Sequence, residues 1–439
     1  MESAPTFLLI LFFIIPLFIK LLKHTDSSNK SKPSLPPGPK PWPIVGNLPE
    51  MLANKPTFRW IQNIMNDLDT EIACIRVGNI HVIPVSSPSI AREFLMKQDA
   101  IFASRPLNWS SKYVSSGYLT TSVTPCGEQW KKMKRIFVEE LLSPQRHQWM
   151  HDKRAEEADN LVRYVYNQTK NGGGLVDLRH VGQHFGGNLS RRMLFNKRYF
   201  GKGREDGGPG PEELEHVVAL FVVELTVGTM DNPFNNVEWV FSEMINQPKI
   251  LQKATQELDR VVGNQRLVQE SDIPKLNYVK ACLREGFRLH PIVDFNVPHV
   301  STEDTIVANY FIPKGSHVLI RRQGVGQNPR VWEEPLKFKP ERHLKRDGCD
   351  LTLTEPSLEL FTFGAGRRSC PAITLGTYVT VMLFARLVHG FTWIAPPNEP
   401  IIDLSELERD TSKAKPLVAF GKPRLPAEVY HPKNYKKYI

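Results

Sequence analysis

The stretch Phe363-Gly364-Ala365-Gly366-Arg367-Arg368-Ser369-Cys370 is a glycine-containing loop that ends in a cysteine. Just beyond it, residues 373–388 carry Leu375, Val379, Met382 and Leu383 at helical spacing, with Gly390 placed to cap the end. A cysteine at that junction faces the positive end of the helix dipole and its free N–H groups. That setting is expected to lower the thiol pKa and temper the donor strength of the sulfur. Gly366 lets the backbone approach a flat ligand, Phe363 can shield the sulfur, and Arg368 can pair with a carboxylate. Taken alone, Cys370 would read as a small buried hydrophobe. Its loop makes it a candidate ligand instead.

The other four cysteines, Cys74, Cys126, Cys282 and Cys349, are scattered and form no CxxC pair, which argues against a disulfide framework or a zinc site and for a reducing compartment. With 439 residues, 41% hydrophobic and 23% charged, the chain can bury a large ligand in one sizeable body. The net charge of +10 suits an anionic membrane or an acidic protein. Basic residues are spread without an arginine-rich arm or an aromatic-interleaved stripe, so nucleic acid is not an expected partner.

Upstream of the loop, Pro248–Val262 repeats apolar residues at helical spacing between Pro248 and Gly263, and 278–289 forms a second such helix stopped by Pro291. Residues 306–320, broken by Pro313 and Gly315 and rich in β-branched and aromatic residues, read as short strands. The body is therefore mainly α with a small β portion. Glu285 and Arg288 lie three apart on the second helix and can pair, with Arg342 of Pro340-Glu341-Arg342-His343 completing the group. Alone, such a pair would be a solvated surface salt bridge.

These three elements, in this order, resemble the cytochromes P-450. The loop matches the family's haem-binding pattern Phe-x-x-Gly-x-Arg-x-Cys at every fixed position, although Pro371-Ala372 follows where the family has x-Gly. The resemblance implies that Cys370 is the axial ligand of haem b (iron protoporphyrin IX) and that Arg368, Phe363 and Gly366 belong to the cofactor site. It makes Glu285, Arg288 and Arg342 a structural lock. Trp130, followed by Lys134 and Arg135, resembles the family's Trp-x-x-x-Arg contact to a haem propionate. Lys134 stands where Arg is usual, so the planar fork is lost unless Arg135 turns inward. His299 resembles a further propionate contact.

Most members carry an acid-alcohol pair in a long helix above the iron. Here the stretch is Met230-Asp231-Asn232-Pro233-Phe234-Asn235, with Asn232 in place of the alcohol and Pro233 either distorting or ending the helix. This, together with His343 in place of Phe and the segment Phe295-Asn296-Val297-Pro298-His299, is similar to plant members that N-hydroxylate amino acids to aldoximes. The resemblance implies dioxygen as co-substrate, electrons from NADPH through a reductase, and Asp231 and Asn232 shaping proton delivery. The basic residues Lys131, Lys132 and Lys134 offer a face to such a reductase. Residues 292–295, with Asp294 an acidic oddity, are expected to line the pocket. Arg105 is a candidate for a substrate carboxylate, or a structural arginine in the Arg105-Pro106 turn.

Residues 4–19 are apolar apart from Thr6 and are followed by Lys20, Lys23, Lys30 and Lys32, without basic residues ahead of them or a small-x-small cleavage site behind. They read as an uncleaved anchor (1–24), single-pass in the endoplasmic reticulum membrane with the body in the cytosol. A polar and proline-rich linker (25–43) leads to the catalytic domain (44–439). Between the segment ending near Phe200 and Asp231, the family carries several distal helices. This chain has only a Gly/Pro-rich stretch (201–211) and a short acidic helix candidate (212–221), so roughly 70 residues are missing near 221–224. The expected fold is thus that of a cytochrome P-450 lacking part of its distal helices. A non-catalytic remnant and a carbon-hydroxylating monooxygenase are the competing readings.

Overall fold

The computed structural model describes residues 33–171, 173–195, 224–344, 350–354 and 357–431. The expected anchor, the stretch 201–211, the helix 212–221 and, apart from Glu224, the junction near 221–224 lie outside the described residues.

The helices that frame the site are α1 (Thr57–Asp67), α2 (Glu128–Ile136), α3 (His151–Asn171), α4 (Leu178–Phe195), α5 (Glu224–Asn246), α6 (Pro248–Val262), α7 (Asn277–Leu289) and α8 (Ile373–Gly390). The strands are β1 (Ile75–Val77), β2 (Ile80–Val85), β3 (Leu175–Asp177), β4 (His299–Val300), β5 (Thr305–Val307), β6 (Tyr310–Ile312), β7 (His317–Ile320), β8 (Phe391–Ile394) and β9 (Val418–Pro423). They form a four-stranded sheet in the order β1-β2-β7-β4, a three-stranded sheet β3-β9-β8 and the hairpin β5-β6. The segment 306–320 is indeed strands and turns.

Helices α3 to α8 share one apolar core, in which Val162, Leu189, Phe241, Leu258, Cys282 and Phe384 are fully buried. The punctuation seen in the sequence sets two of these helices. Pro248 opens α6 and Gly263, at φ +78°, closes it. The start of α7 has no side-chain cap of its own; the buried Glu257 of α6 accepts the Tyr278 and Val279 N–H groups at 2.8 and 2.9 Å. Among the described residues, α8 is the one helix apolar and long enough to cross a membrane, and it is packed into the core.

Helix α5 runs through Pro233 without ending. The reading in which Asn-Pro stops the helix is therefore corrected: Pro233 and the next residues Phe234 to Glu243 are buried, and packing against α4 and α7 carries the helix across the missing hydrogen bond. Close approach comes from glycine. A Cβ on Gly182 of α4 would lie 2.1 Å from the Phe234 ring, and one on Gly286 of α7 would lie 2.3 Å from Val240.

Candidate active site

The Cys370 loop turns on two glycines in the left-handed region, Gly364 at φ +73° and Gly366 at φ +68°. The Cys370 N–H donates to the Phe363 carbonyl at 2.8 Å, folding the cysteine back over the loop at the foot of α8. The Phe363 ring faces Phe287 of α7 at 6.3 Å and lies against Gly376 of α8. Gly366 also meets a neighbour within the chain. A Cβ there would fall 2.1 Å from the Leu95 carbonyl and 2.8 Å from Asp99.

The acidity of Cys370 also differs from expectation. The Ala372 N–H and the guanidinium of Arg322 favour the thiolate, but burial outweighs them and raises the thiol pKa. Arg322 is the feature the sequence reading missed. It lies over the Phe361 ring at 5.9 Å and is so buried that its pKa is lowered to about 10. Its position two residues after the strand β7 was the available sign, since a charged residue that close to a core strand needs a reason.

A second cluster gathers cations. The Arg368 guanidinium stacks on the buried Trp130 ring at 4.1 Å and donates to the carbonyls of Ala103, Thr121 and Thr124. Arg105 donates to those of Ser122, Val297 and Pro298. Burial and the charge of Arg368 lower its pKa to about 9. His299 binds the Phe102 carbonyl through Nδ1 at 2.7 Å, and burial beside Arg105 and Arg368 depresses it to about 3, leaving it neutral. Lys134 joins at the edge, over Trp130 at 5.2 Å and donating to the Arg367 carbonyl at 2.9 Å. Arg135 is exposed and stays outside the cluster.

The expected lock is assembled and is larger than its motif. Glu285 is fully buried and accepts from Arg288 Nε and Nη2, both at 2.8 Å, Arg342 Nε at 3.0 Å, His343 Nε2 at 2.8 Å and the Lys339 N–H at 2.8 Å. These donors hold its pKa down at about 2 despite burial. Arg284 Nε faces His343 Nδ1 at 3.4 Å, which fixes the ring with Nε2 as the donor to Glu285.

On the other side, Asp231 belongs to α5 and Asn232 is exposed. Of residues 292–295, Phe295 lines a cavity of about 650 Å³, whereas Asp294 is buried against Arg321 at 3.4 Å. Burial raises the Asp294 carboxyl to about 6.

The cytochrome P450 family model matches this chain over residues 36–206 and 205–418. The chain belongs to the cytochrome P450 family. It is 48% identical to a phenylalanine N-monooxygenase of Prunus mume over 504 aligned positions, covering 93% of the chain and 94% of that relative. It is also 48% identical to isoleucine N-monooxygenase 1 of Lotus japonicus, covering 98% and 97%. A tyrosine N-monooxygenase of Sorghum bicolor is 46% identical, covering 91% and 88%. The first two alignments run longer than the 439 residues of the chain, so these relatives carry residues it lacks.

The family's haem places two demands on a P450 site, and the residues meet both. A flat dianionic cofactor needs buried cations without acids of their own. Among the described residues, Arg105 and Arg368 donate only to main-chain carbonyls, and the nearby Asp99 is engaged by Arg367. An iron ligand needs a sulfur that can be deprotonated by the metal, and Cys370 has two stabilisers of the thiolate at hand.

Proposed function

We propose that this P450 N-hydroxylates an α-amino acid to an aldoxime, with haem b held by Cys370, dioxygen as co-substrate and electrons from NADPH through a reductase. The observation that carries the reading is the Cys370 loop beside a cationic cluster whose buried arginines donate to main-chain carbonyls, in a chain 44–48% identical to several amino-acid N-monooxygenases. Bound haem supplies oxygen activation. Cys370 would hold the iron, while Arg368, Arg105, Trp130 and Lys134 would receive the propionates. His299 binds a carboxylate through Nε2 only as the imidazolium, because Nδ1 is committed to Phe102; the propionate's charge favours that form. Asp231 and Asn232 govern the proton supply from α5. The anchor 1–24 fastens the protein to the endoplasmic reticulum membrane with its body in the cytosol, and the basic face of α2 meets the reductase.

A second reading, a remnant that keeps the signatures without turnover, is favoured by the length of the alignments and by uncovered apolar surface. Leu107, Trp109 and Tyr113 are 72, 85 and 89% exposed, and Asn232 faces solvent, as expected if distal helices near 221–224 have been lost. The reduced carbon monoxide difference spectrum of the chain in microsomes, beside Cys370→Ala, tests both. A red-shifted Soret band absent from the variant, followed by oxime formation from one of several amino acids, supports the enzyme. The band without any oxime, or no band despite folded protein, leaves the remnant.

A further inference from the structure

The cavity of about 650 Å³ lies where the start of α1 meets the turn before Thr411 and the inner end of β7. Phe58, Ile61, Phe295 and Leu319 give it apolar walls, and Lys55 and Arg409 stand on it from opposite ends of the chain. Its volume is in the range of small-molecule sites, with the usual pattern of apolar walls and few polar groups. No acid lines it. Glu408 and Asp410 flank Arg409 in the chain, but neither lines the hollow or forms an ion pair with Arg409 among the described residues; Asp410 accepts the Ser412 N–H at 2.6 Å, and Glu406 accepts from Gln323 at 3.2 Å and pairs with Arg59 at 3.7 Å. Lys55 reaches only Thr57, at 3.5 Å, and Arg409 has no hydrogen bond or ion pair among the described residues. Phe295 is bridged to Arg321, and the Asp294 carbonyl takes the N–H of Arg322, whose guanidinium favours the Cys370 thiolate.

Two uncompensated cations over an apolar hollow are complementary to a small monocarboxylate with an apolar body. We propose that Lys55 and Arg409 form a carboxylate-reading mouth, which receives such a molecule by its charged end while Phe58, Ile61, Phe295 and Leu319 hold its side chain. The proposal rests on the amino-acid reading only for the identity of the carboxylate. Selection then acts at the mouth through charge and apolar bulk. Amino acids with acidic side chains are disfavoured because nothing in the hollow pairs a second anion.

The test is equilibrium binding of three probes to the full-length protein in lipid nanodiscs: L-phenylalanine, 3-phenylpropanamide and 3-phenylpropanoate. Lys55→Gln and Arg409→Gln are each expected to weaken L-phenylalanine and 3-phenylpropanoate roughly tenfold. The amide, which lacks the carboxylate, should bind equally to all forms, and Arg409→Lys should recover most of the loss. Both side chains are exposed, so the variants should fold, with unchanged circular dichroism. Equal weakening of amide and acid, or no weakening of either, overturns the mouth. The two proposals fail separately. If 3-phenylpropanoate shows the charge dependence while no amino acid yields an oxime, the mouth stands and the amino-acid reading falls. If oximes form with unchanged KM in the double variant, the mouth falls and the reading stands.

Discussion

Glu285 keeps its charge in the core because four side-chain donors and a backbone N–H surround it, and each has a measurable weight. His343→Phe removes one donor and strands Arg284 Nε, so unfolding free energy should fall by about 1–3 kcal/mol in urea titrations. Glu285→Gln leaves Arg288 and Arg342 facing a neutral group and should cost more, about 3–5 kcal/mol. Protons act on two of these groups in separate windows. Glu285, near 2 when folded, contributes stability above its ordinary value of 4.5 that is lost as pH falls toward 2. His299, near 3 when folded against 6.5 when unfolded, favours the unfolded chain as pH falls from 6.5 toward 3. The urea midpoint of the haem-free protein should therefore drop between pH 6.5 and 4.5, and His299→Gln should flatten part of that drop. At this scale the Glu285, Arg288 and Arg342 group was legible because its spacing encodes it. The raised thiol pKa of Cys370 was not, since a loop sequence carries no information on how deeply tertiary packing buries it.

Helices α6, α7 and α8 were legible for the same reason that they are stable: a regular apolar stripe, bounded by proline or glycine, packs on one shared core. Helix α5 shows the limit of such reading. Pro233 marks a break locally, and only the burial of the next ten residues overrides it. The β3-β9-β8 sheet was equally out of reach, because Leu175 pairs with Phe420 across most of the chain. The contact that fixes α5 over α7 depends on Gly286, whose missing Cβ would meet Val240 at 2.3 Å and the Asn236 carboxamide at 2.6 Å. Gly286→Ala should thus lower stability by about 1–3 kcal/mol through overpacking, although alanine favours a helix. Differential scanning calorimetry reads the sign. An upward shift in Tm would mean that the two helices separate without strain, and that the crossing is not what holds α5 in place.

At the scale of the whole molecule, the described elements carry the Cys370 side of the site, and the expected loss near 221–224 falls on the opposite side. The Cys370 loop, the cationic cluster and the Glu285 lock all draw on described, well-packed elements, so haem binding should depend on them alone. Closure over a substrate needs a roof, and among the described residues Trp109, Tyr113 and Asn232 are left exposed. Inserting the extra residues of the Prunus mume relative near 221–224 separates the two requirements. The graft should leave the carbon monoxide spectrum of the reduced protein unchanged per mole of chain, because the proximal site is untouched. It should raise oxime formation from an aromatic amino acid by at least roughly tenfold, because water is excluded and the substrate is held against α5. Equal turnover with and without the graft would mean that the shortened chain already closes its own site. A haem band that appears only in the graft would place the distal helices among the elements that fold the cofactor pocket.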